Sequence, residues 1–430
     1  MKQTIGSFRQ VTLSIFCGVS VLAVGLGAFS SYAADAAPRP TALLSISEAP
    51  ISPTVDYNIL MFDNLRLSFT GVVGLTYDDN INRSRDNARS GFYTTPRLRM
   101  GLDWPLTPNF HLGTSASVGY RYFFSGDGRD TWLIGLADDL STYIKADFRL
   151  GQGVLRISDH YSRTLDDIDI GLTGARDYVL NRNLLAARYT MPLAPMWSAS
   201  ARISRRDTWT GTDEFEHHDN VRHLANLNLT WQVNPQLQVG PYFLYEDVDY
   251  TSATGSAPVA NNDRETYEGG LNFLYRFPMD ASLEGSLGYQ RMDIDRSAFA
   301  TEQGRGFAGR LAARFATSEF TDHTLSVTHN RNNDIISPFV NYSLETTYMY
   351  AIASRLMRDL TLRGDIALID VDESDFGEDA EIWRLGVGAT YVLGPKTKAR
   401  VRYEYWDKSS DIPIREYTRN RVSLFLEYDF

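Results

Sequence analysis

Arginines at every second position are the residues of this chain best placed to do chemistry. Over 396–408, Lys396, Lys398, Arg400, Arg402, Glu404 and Lys408 share one parity. Over 197–206, Arg202 and Arg206 alternate with Trp197, Ala199, Ala201 and Ile203. A period of two is that of a β-strand, whose successive side chains point to opposite faces. A guanidinium does not lose its proton, and its planar fork matches a carboxylate or a phosphate. Such stripes predict electrostatic contact with anions rather than bond-making. The candidate anion-contacting residues are Arg97, Arg99, Arg121, Arg202, Arg206, Arg222, Arg310, Arg314, Arg384, Arg400, Arg402, Arg419 and Arg421. Acids of the same parity are fewer: Asp103, Glu246, Glu268, Glu284, Glu345, Asp365, Glu404 and Glu427. The competing reading is a set of Arg–carboxylate pairs that only stiffens a wall.

Other constellations are weaker. Ser158 and His160 share a strand face, as do His111 and Ser115. Residues two apart on a strand lie about 7 Å apart, whereas a nucleophile and its base need about 3 Å. His217-His218-Asp219 would suit a divalent metal but reads more simply as a solvated loop. Asp370, Asp372 and Asp375 lack the rest of a twelve-residue calcium loop. No catalytic residue, enzyme activity, cofactor or metal is predicted.

The elements that carry these stripes must be strands in a particular setting. Beyond Phe29 there is no run of eighteen apolar residues, so no membrane helix is predicted. Only a closed barrel otherwise spans a bilayer, because every backbone polar group must be paired internally. Such a barrel needs one apolar face per strand, which fits a composition 43% hydrophobic and 12% aromatic with 24 Tyr. The net charge of −11 argues against nucleic acid. From Leu65 onward, alternating segments of ten or more residues recur, predicting an all-β, transmembrane, antiparallel up-and-down β-barrel of about 18 strands. One of these segments is 131–148, where Asp138 and Asp139 break the alternation. Connections alternate short with long: 105–108, 192–195, 234–235, 278–279 and 394–395 against 78–91, 164–176, 210–219, 251–263, 296–304 and 372–380. Short periplasmic turns and long external loops are the rule for outer-membrane barrels.

A charged Arg or Lys on the lipid face at the bilayer midplane costs about 2–4 kcal/mol, so the polar parity is predicted to face the lumen. Trp104, Trp197, Trp231, Tyr275, Phe277, Tyr391, Tyr428 and Phe430 are expected in a periplasmic aromatic girdle. Tyr77, Tyr120, Tyr122, Trp209 and Tyr267 are expected in an outer one. Arg291 and Asp293, on the apolar parity, are expected above the membrane. Pro96 and Pro241 fall inside strands and predict bulges. Inward small residues, among them Gly74, Gly113, Gly119, Gly240, Gly288 and Gly386, are expected to leave room for a solute.

The ends of the chain fit this picture. Lys2 and Arg9, the apolar stretch Val11–Phe29 and the small residues Ser31 and Ala33 predict a signal peptide over 1–33. The only cysteine, Cys17, lies within it. Residues 34–64, with Pro38, Pro40, Pro50 and Pro53, read as an N-terminal periplasmic linker or plug, and 65–430 as the barrel. Leu426, Tyr428 and Phe430 form an apolar stripe that closes on a terminal aromatic, an expected signal for the barrel-assembly machinery.

Where the first strand ends, the chain reads Thr76-Tyr77-Asp78-Asp79-Asn80-Ile81. This resembles the "TYDDNI" signature of a family of outer-membrane β-barrel porins, often encoded beside exopolysaccharide or capsule export genes in Gram-negative bacteria. The resemblance spans roughly 65–430. It implies an outer-membrane location and a non-enzymatic channel; together with the inward arginines, the expectation is a barrel that conducts or exports anionic solutes, acidic exopolysaccharide among them. An alginate-export channel is similar in strand number and in its Arg-rich lumen. Implied partners are outer-membrane lipid, lipopolysaccharide, the assembly machinery, anionic polysaccharide and periplasmic export components. The alternatives are a general diffusion porin for small solutes and a non-conducting binding or assembly scaffold.

Overall fold

The computed structural model describes residues 60–62, 64–124, 130–135, 142–166, 178–210, 219–250, 263–278, 280–295, 302–332, 343–373 and 378–430. The expected signal segment lies outside these residues, as do His217, His218, Asp138, Asp139 and most of 34–64. The strands are β1 (Leu60–Phe62), β2 (Leu65–Asp78), β3 (Gly91–Thr107), β4 (Phe110–Phe123), β5 (Thr131–Ile134), β6 (Thr142–Leu150), β7 (Gly153–Asp166), β8 (Tyr178–Ala194), β9 (Trp197–Thr210) and β10 (Asn220–Gln232). They continue as β11 (Leu237–Tyr250), β12 (Asp263–Arg276), β13 (Ser282–Asp295), β14 (Glu302–Ser318), β15 (Thr321–Asn332), β16 (Ser343–Met357), β17 (Leu360–Glu373), β18 (Asp379–Gly394), β19 (Thr397–Ser410) and β20 (Tyr417–Asp429).

Apart from β5 and β6, each strand pairs antiparallel with the next, and β2 pairs with both β3 and β20, so the sheet closes on itself. β1 only extends the edge of β2 over Leu65–Leu67. β5 and β6 share one place in the wall, both pairing with β4 and β7. The wall therefore has eighteen positions, the predicted number. The segment expected as one strand over 131–148 is divided into β5 and β6. The linker expected over 34–64 includes the short strand β1.

Closure follows from the solvent. Hydrocarbon offers no partner to a free N–H or C=O, so an open edge is excluded. Turn lengths sort by end. Two residues separate β3 from β4, β8 from β9, β14 from β15, β16 from β17 and β18 from β19. Twelve separate β2 from β3 and β11 from β12 at the other end. Both β2's start and the chain's last residue lie at the short-turn end, the periplasmic one by the rule above.

The outer face is a belt of exposed apolar side chains, including Ile203, Leu227, Leu271, Leu287 and Leu424. Rings border it. Trp197 and Trp231 stack at 5.6 Å, and Tyr275 and Tyr428 meet Phe277 and Phe430 at 4.5 and 5.3 Å, all at the short-turn end. Tyr77–Phe92, Tyr120–Trp132 and Tyr245–Tyr267 do the same at the long-loop end. Trp197 and Trp209 bound β9. At about 3.4 Å per residue and a tilt of roughly 40°, they stand about 30 Å apart, a hydrocarbon thickness. Above that belt, Arg291 and Asp293 form an outward ion pair at 2.8 Å.

The expected bulges at Pro96 and Pro241 are absent. The register runs through both, with Val73 opposite Pro96 and Leu271 opposite Pro241. Beside each proline lies a close-approach glycine, Gly119 on the next strand opposite Arg97 and Gly240 just before Pro241 on the same strand. A Cβ on Gly119 would lie 3.1 Å from the Pro96 carbonyl oxygen, and one on Gly240 would overlap the Leu229 carbonyl. The wall yields by drawing neighbouring backbone into the glycine's space, so no residue is inserted. Bulges occur next to turns, as at Pro105/Thr107 and Val392/Gly394.

The two faces make a direct test. Leu271 is 63% exposed at mid-strand, while its neighbour Asn272 faces inward. Leu271→Arg is expected to lower unfolding free energy in lipid vesicles by about 2–4 kcal/mol. Asn272→Arg is expected to change it by less than about 1 kcal/mol. Denaturant titration followed by tryptophan fluorescence reads both.

Candidate functional site: the lumenal wall

The outer parity being fixed by exposed apolar residues, the other parity of each strand lines the lumen. Arg97 and Arg99 alternate on β3 with outward Leu98 and Met100; Arg121 stands on β4 beside outward Tyr122. Arg202 and Arg206 oppose Ile203 on β9, and Arg222 opposes Leu227 on β10. Arg310 and Arg314 flank Leu311 and Phe315 on β14, and Arg384 lies between Trp383 and Leu385 on β18. Arg400, Arg402, Arg419 and Arg421 oppose Val401, Tyr403, Val422 and Leu424 on β19 and β20. All thirteen candidates thus take the lumenal parity.

Carboxylates on this wall are shared. Glu404 accepts from Arg421 Nε at 2.7 Å and lies 3.1 Å from both Arg402 and Arg384. Arg402 also reaches Asp365 at 3.5 Å. Glu246 holds Arg222 at 3.1 Å and Arg264 at 3.5 Å. Glu284 holds Arg314 at 3.4 Å and Arg310 at 3.8 Å. Glu427 holds Arg99 at 3.5 Å and Lys398 at 3.7 Å. Elsewhere arginines stand side by side. Arg156 is in register with Arg188, which is in register with Arg202, and Arg206 is in register with Arg222. Like charges placed opposite on neighbouring strands repel, and carboxylates offset two members of these rows, Asp147 bonding Arg156 at 2.6 Å and Glu246 bonding Arg222 at 3.1 Å.

Several lumenal rings escaped the sequence reading, Trp406 and Phe425 foremost. Trp406 has the guanidiniums of Arg83, Arg384, Arg419 and Arg421 at 5.1, 5.5, 5.0 and 5.6 Å from its ring centre. Phe425 lies flat over Gly74, with Arg400 at 4.8 Å and Arg97 at 5.2 Å. Arg121 sits 4.9 Å over Tyr93. Such cation–π contacts hold each guanidinium plane against the wall. An aromatic on an otherwise charged parity was the available signal.

The inward glycines do not hold open space. A Cβ on Gly74 would meet the Phe425 ring, on Gly113 the Lys145 chain, on Gly119 the Arg97 chain and on Gly386 the Asp365 carboxylate. Tyr242 lies over Gly288 in the same way and donates from its hydroxyl to Glu268 at 2.5 Å. The room expected for a solute is taken by neighbouring side chains laid along the wall.

The wall is graded in depth. Near the long-loop end, Asp78 and Arg419 retain 0% and 4% side-chain exposure, while Arg156 and Arg314 near the turn end retain 53% and 50%. The lumenal side chains are therefore wet towards the periplasm and packed towards the outside. His111 bonds Asp103, and Asp219 accepts from the Thr210 backbone N–H at 2.7 Å. Leu426, Tyr428 and Phe430 lie exposed on the outer face, and the Phe430 N–H donates to Phe69 O at 3.0 Å.

Glu404 is the most heavily shared carboxylate. Glu404→Gln strands buried guanidiniums and is expected to cost about 3–5 kcal/mol of unfolding free energy. Glu284→Gln, beside the wet Arg314, is expected to cost less than about 1 kcal/mol. Parallel guanidinium titrations of the two folded variants test the contrast.

Comparison with known proteins agrees with the geometry. Residues 261–430 match a family model described as "Putative beta-barrel porin 2". The fold is similar to that of a BenF-like porin from Pseudomonas fluorescens Pf-5, at 12% identity and a TM-score of 0.50, covering 86% of this chain and 100% of that one. It is similar also to Acinetobacter baumannii OccAB1 at 12% identity and a TM-score of 0.49, covering 86% and 97%. Pseudomonas aeruginosa OpdL follows at 12% and 0.47, covering 86% and 99%. No curated protein matches the chain.

Proposed function

We propose that this chain, a porin-like β-barrel of the bacterial outer membrane, conducts anionic solutes along its arginine-rich wall, acidic polysaccharide being the polymeric member of that class. The reading rests on one observation: lumenal arginines outnumber the carboxylates that hold them. Among the described pairs, Glu404 and Asp365 share three arginines, Glu246 and Glu284 hold two each, and Asp147 holds Arg156, the first of the in-register row Arg156, Arg188 and Arg202. In a low-dielectric wall a net positive stripe focuses potential into the lumen and concentrates anions there. Many moderate contacts also let an anion move from one to the next, which a single tight site would prevent.

The chemistry suits a carboxylate-bearing or phosphate-bearing solute. Rings of Phe425, Tyr93 and Trp406 lie 4.8–5.6 Å from the guanidiniums beside them and steady those side chains, and a guanidinium's planar fork is matched to planar oxyanions. A general diffusion porin is favoured by a different part of the wall. On β10 to β12, Asn226, Asn228, Asn272, Gln238 and Tyr242 line the lumen with neutral hydrogen-bonding groups. Such groups serve uncharged sugars as well as anions.

Ion selectivity in planar bilayers separates the readings. The wild-type reversal potential in a KCl gradient is expected to show anion preference, and micromolar oligouronate is expected to block the current where neutral maltodextrin of equal length does not. Replacing Arg188, Arg202, Arg400 and Arg402 together by Ser is expected to lower the chloride-to-potassium permeability ratio at least threefold. A ratio near unity in the wild type would support the general porin instead.

A further inference from the structure

We infer that Thr76–Ile81 is a clasp holding the loop between β2 and β3 inside the external mouth, and that this loop is a lid whose inner tip, Arg83, sets the size of solute admitted. The inference concerns pore size and does not rest on the sign of the solute's charge.

The chain turns inward as it leaves β2. Asn80 and Ile81 are 3% and 7% exposed. Ile81 packs with Tyr93 and Phe123, which take the lumenal parity of β3 and β4. An apolar side chain in that place is inside the barrel, since the same strands put Phe92 and Tyr122 outside.

Thr76, Asp78, Asp79 and Asn80 spend their hydrogen bonds on the seam or on the loop. The Thr76 hydroxyl donates to Ser423 Oγ at 3.0 Å. Asp78 accepts from Arg419 Nε at 3.0 Å and from the Asn80 N–H at 3.1 Å. Asp79 accepts from the Asn420 N–H at 2.6 Å and its amide at 2.7 Å. The Asn80 amide donates to Thr418 O at 2.8 Å and Ser84 O at 2.9 Å, and its oxygen accepts from the Ser84 N–H at 3.0 Å. One asparagine thus ties the first loop to the last strand.

The loop also closes on itself. The Ile81 N–H donates to Arg89 O at 2.8 Å, the Arg89 N–H to Asn82 Oδ1 at 2.8 Å, and the Asn82 amide to Asn87 O at 2.9 Å. Arg83 takes a left-handed φ of 47°, uncommon for a residue with a side chain. That turn puts its guanidinium 5.1 Å over Trp406 and 6.0 Å over Tyr417, both on lumenal parities. The loop therefore reaches from the β2–β20 seam to β3–β4 on one side and onto β19 on the other. Its outermost tie, the ion pair of Arg85 with Glu416, is exposed and contributes little. The grip is internal, at Asn80 and Ile81.

The test measures pore size in two variants that leave Asp78, Arg419 and the seam untouched. One is the double substitution Asn80→Ala, Ile81→Asn. The other replaces 82–88 by two glycines. Folding is checked by heat-modifiable migration in gels. Single-channel conductance in 1 M KCl is expected to rise at least twofold in both, and liposome swelling to admit larger neutral sugars than the wild type admits. If the wild type is silent, opening in the variants has the same meaning. Folded variants with wild-type conductance and wild-type size limit, or variants as silent as a silent wild type, overturn the inference.

Discussion

A strand in hydrocarbon has no water to satisfy its backbone, and the pairing of β2 with β20 is where this chain meets that constraint. Nine register pairs, from Thr70 with Asp429 to Asp78 with Arg421, join the first wall strand to the last. Without them every other strand would belong to an open sheet with two unpaired edges. The seam is correspondingly rich in side-chain ties. Asp78 and Arg419 meet through two guanidinium nitrogens, Thr76 bonds Ser423, Phe425 covers Gly74, and Phe430 reaches Phe69. The same strands that close the cylinder thus carry the densest part of the lumenal wall.

Closure also decides the electrostatics. Once alternate residues must face lipid, the charged ones have only the lumen. There the partners are arginines crowded on few carboxylates. A buried ion pair gains stability only where further contacts offset desolvation. The wall supplies them as shared carboxylates and as rings beneath the guanidiniums. Glycines make this possible, because a ring or an alkyl stem can lie flat only where no Cβ intervenes.

The barrel was legible in the sequence because its causes are local and periodic. The alternation of Arg400, Arg402 and Glu404 with Val401 and Tyr403, the two-residue turns and the rings beside them each follow from one strand at a time. What escaped depends on neighbours. Phe425 and Trp406 look like interruptions of a polar stripe until Gly74 and the adjacent arginines are seen beneath and around them. Pro96 and Pro241 predicted bulges because the relief comes from across the sheet, where Pro96 O approaches Gly119 and Leu229 O approaches Gly240, and this cannot be read from one strand alone. The Thr76–Ile81 segment was legible as a motif but not as a contact, since Asn80 bonds Thr418 far along the chain.

The measurement closest to the central claim is a single-cysteine, spin-label scan of β19 and β9 in lipid vesicles, reading collision rates with oxygen and with a water-soluble nickel chelate. The expected result is strict alternation: labels at 399, 401, 403, 201 and 203 favour oxygen, and labels at 398, 400, 402, 202 and 204 favour nickel. A scan without that period of two, or with its phase inverted, would contradict a lipid-facing apolar wall around a lumen lined with arginine.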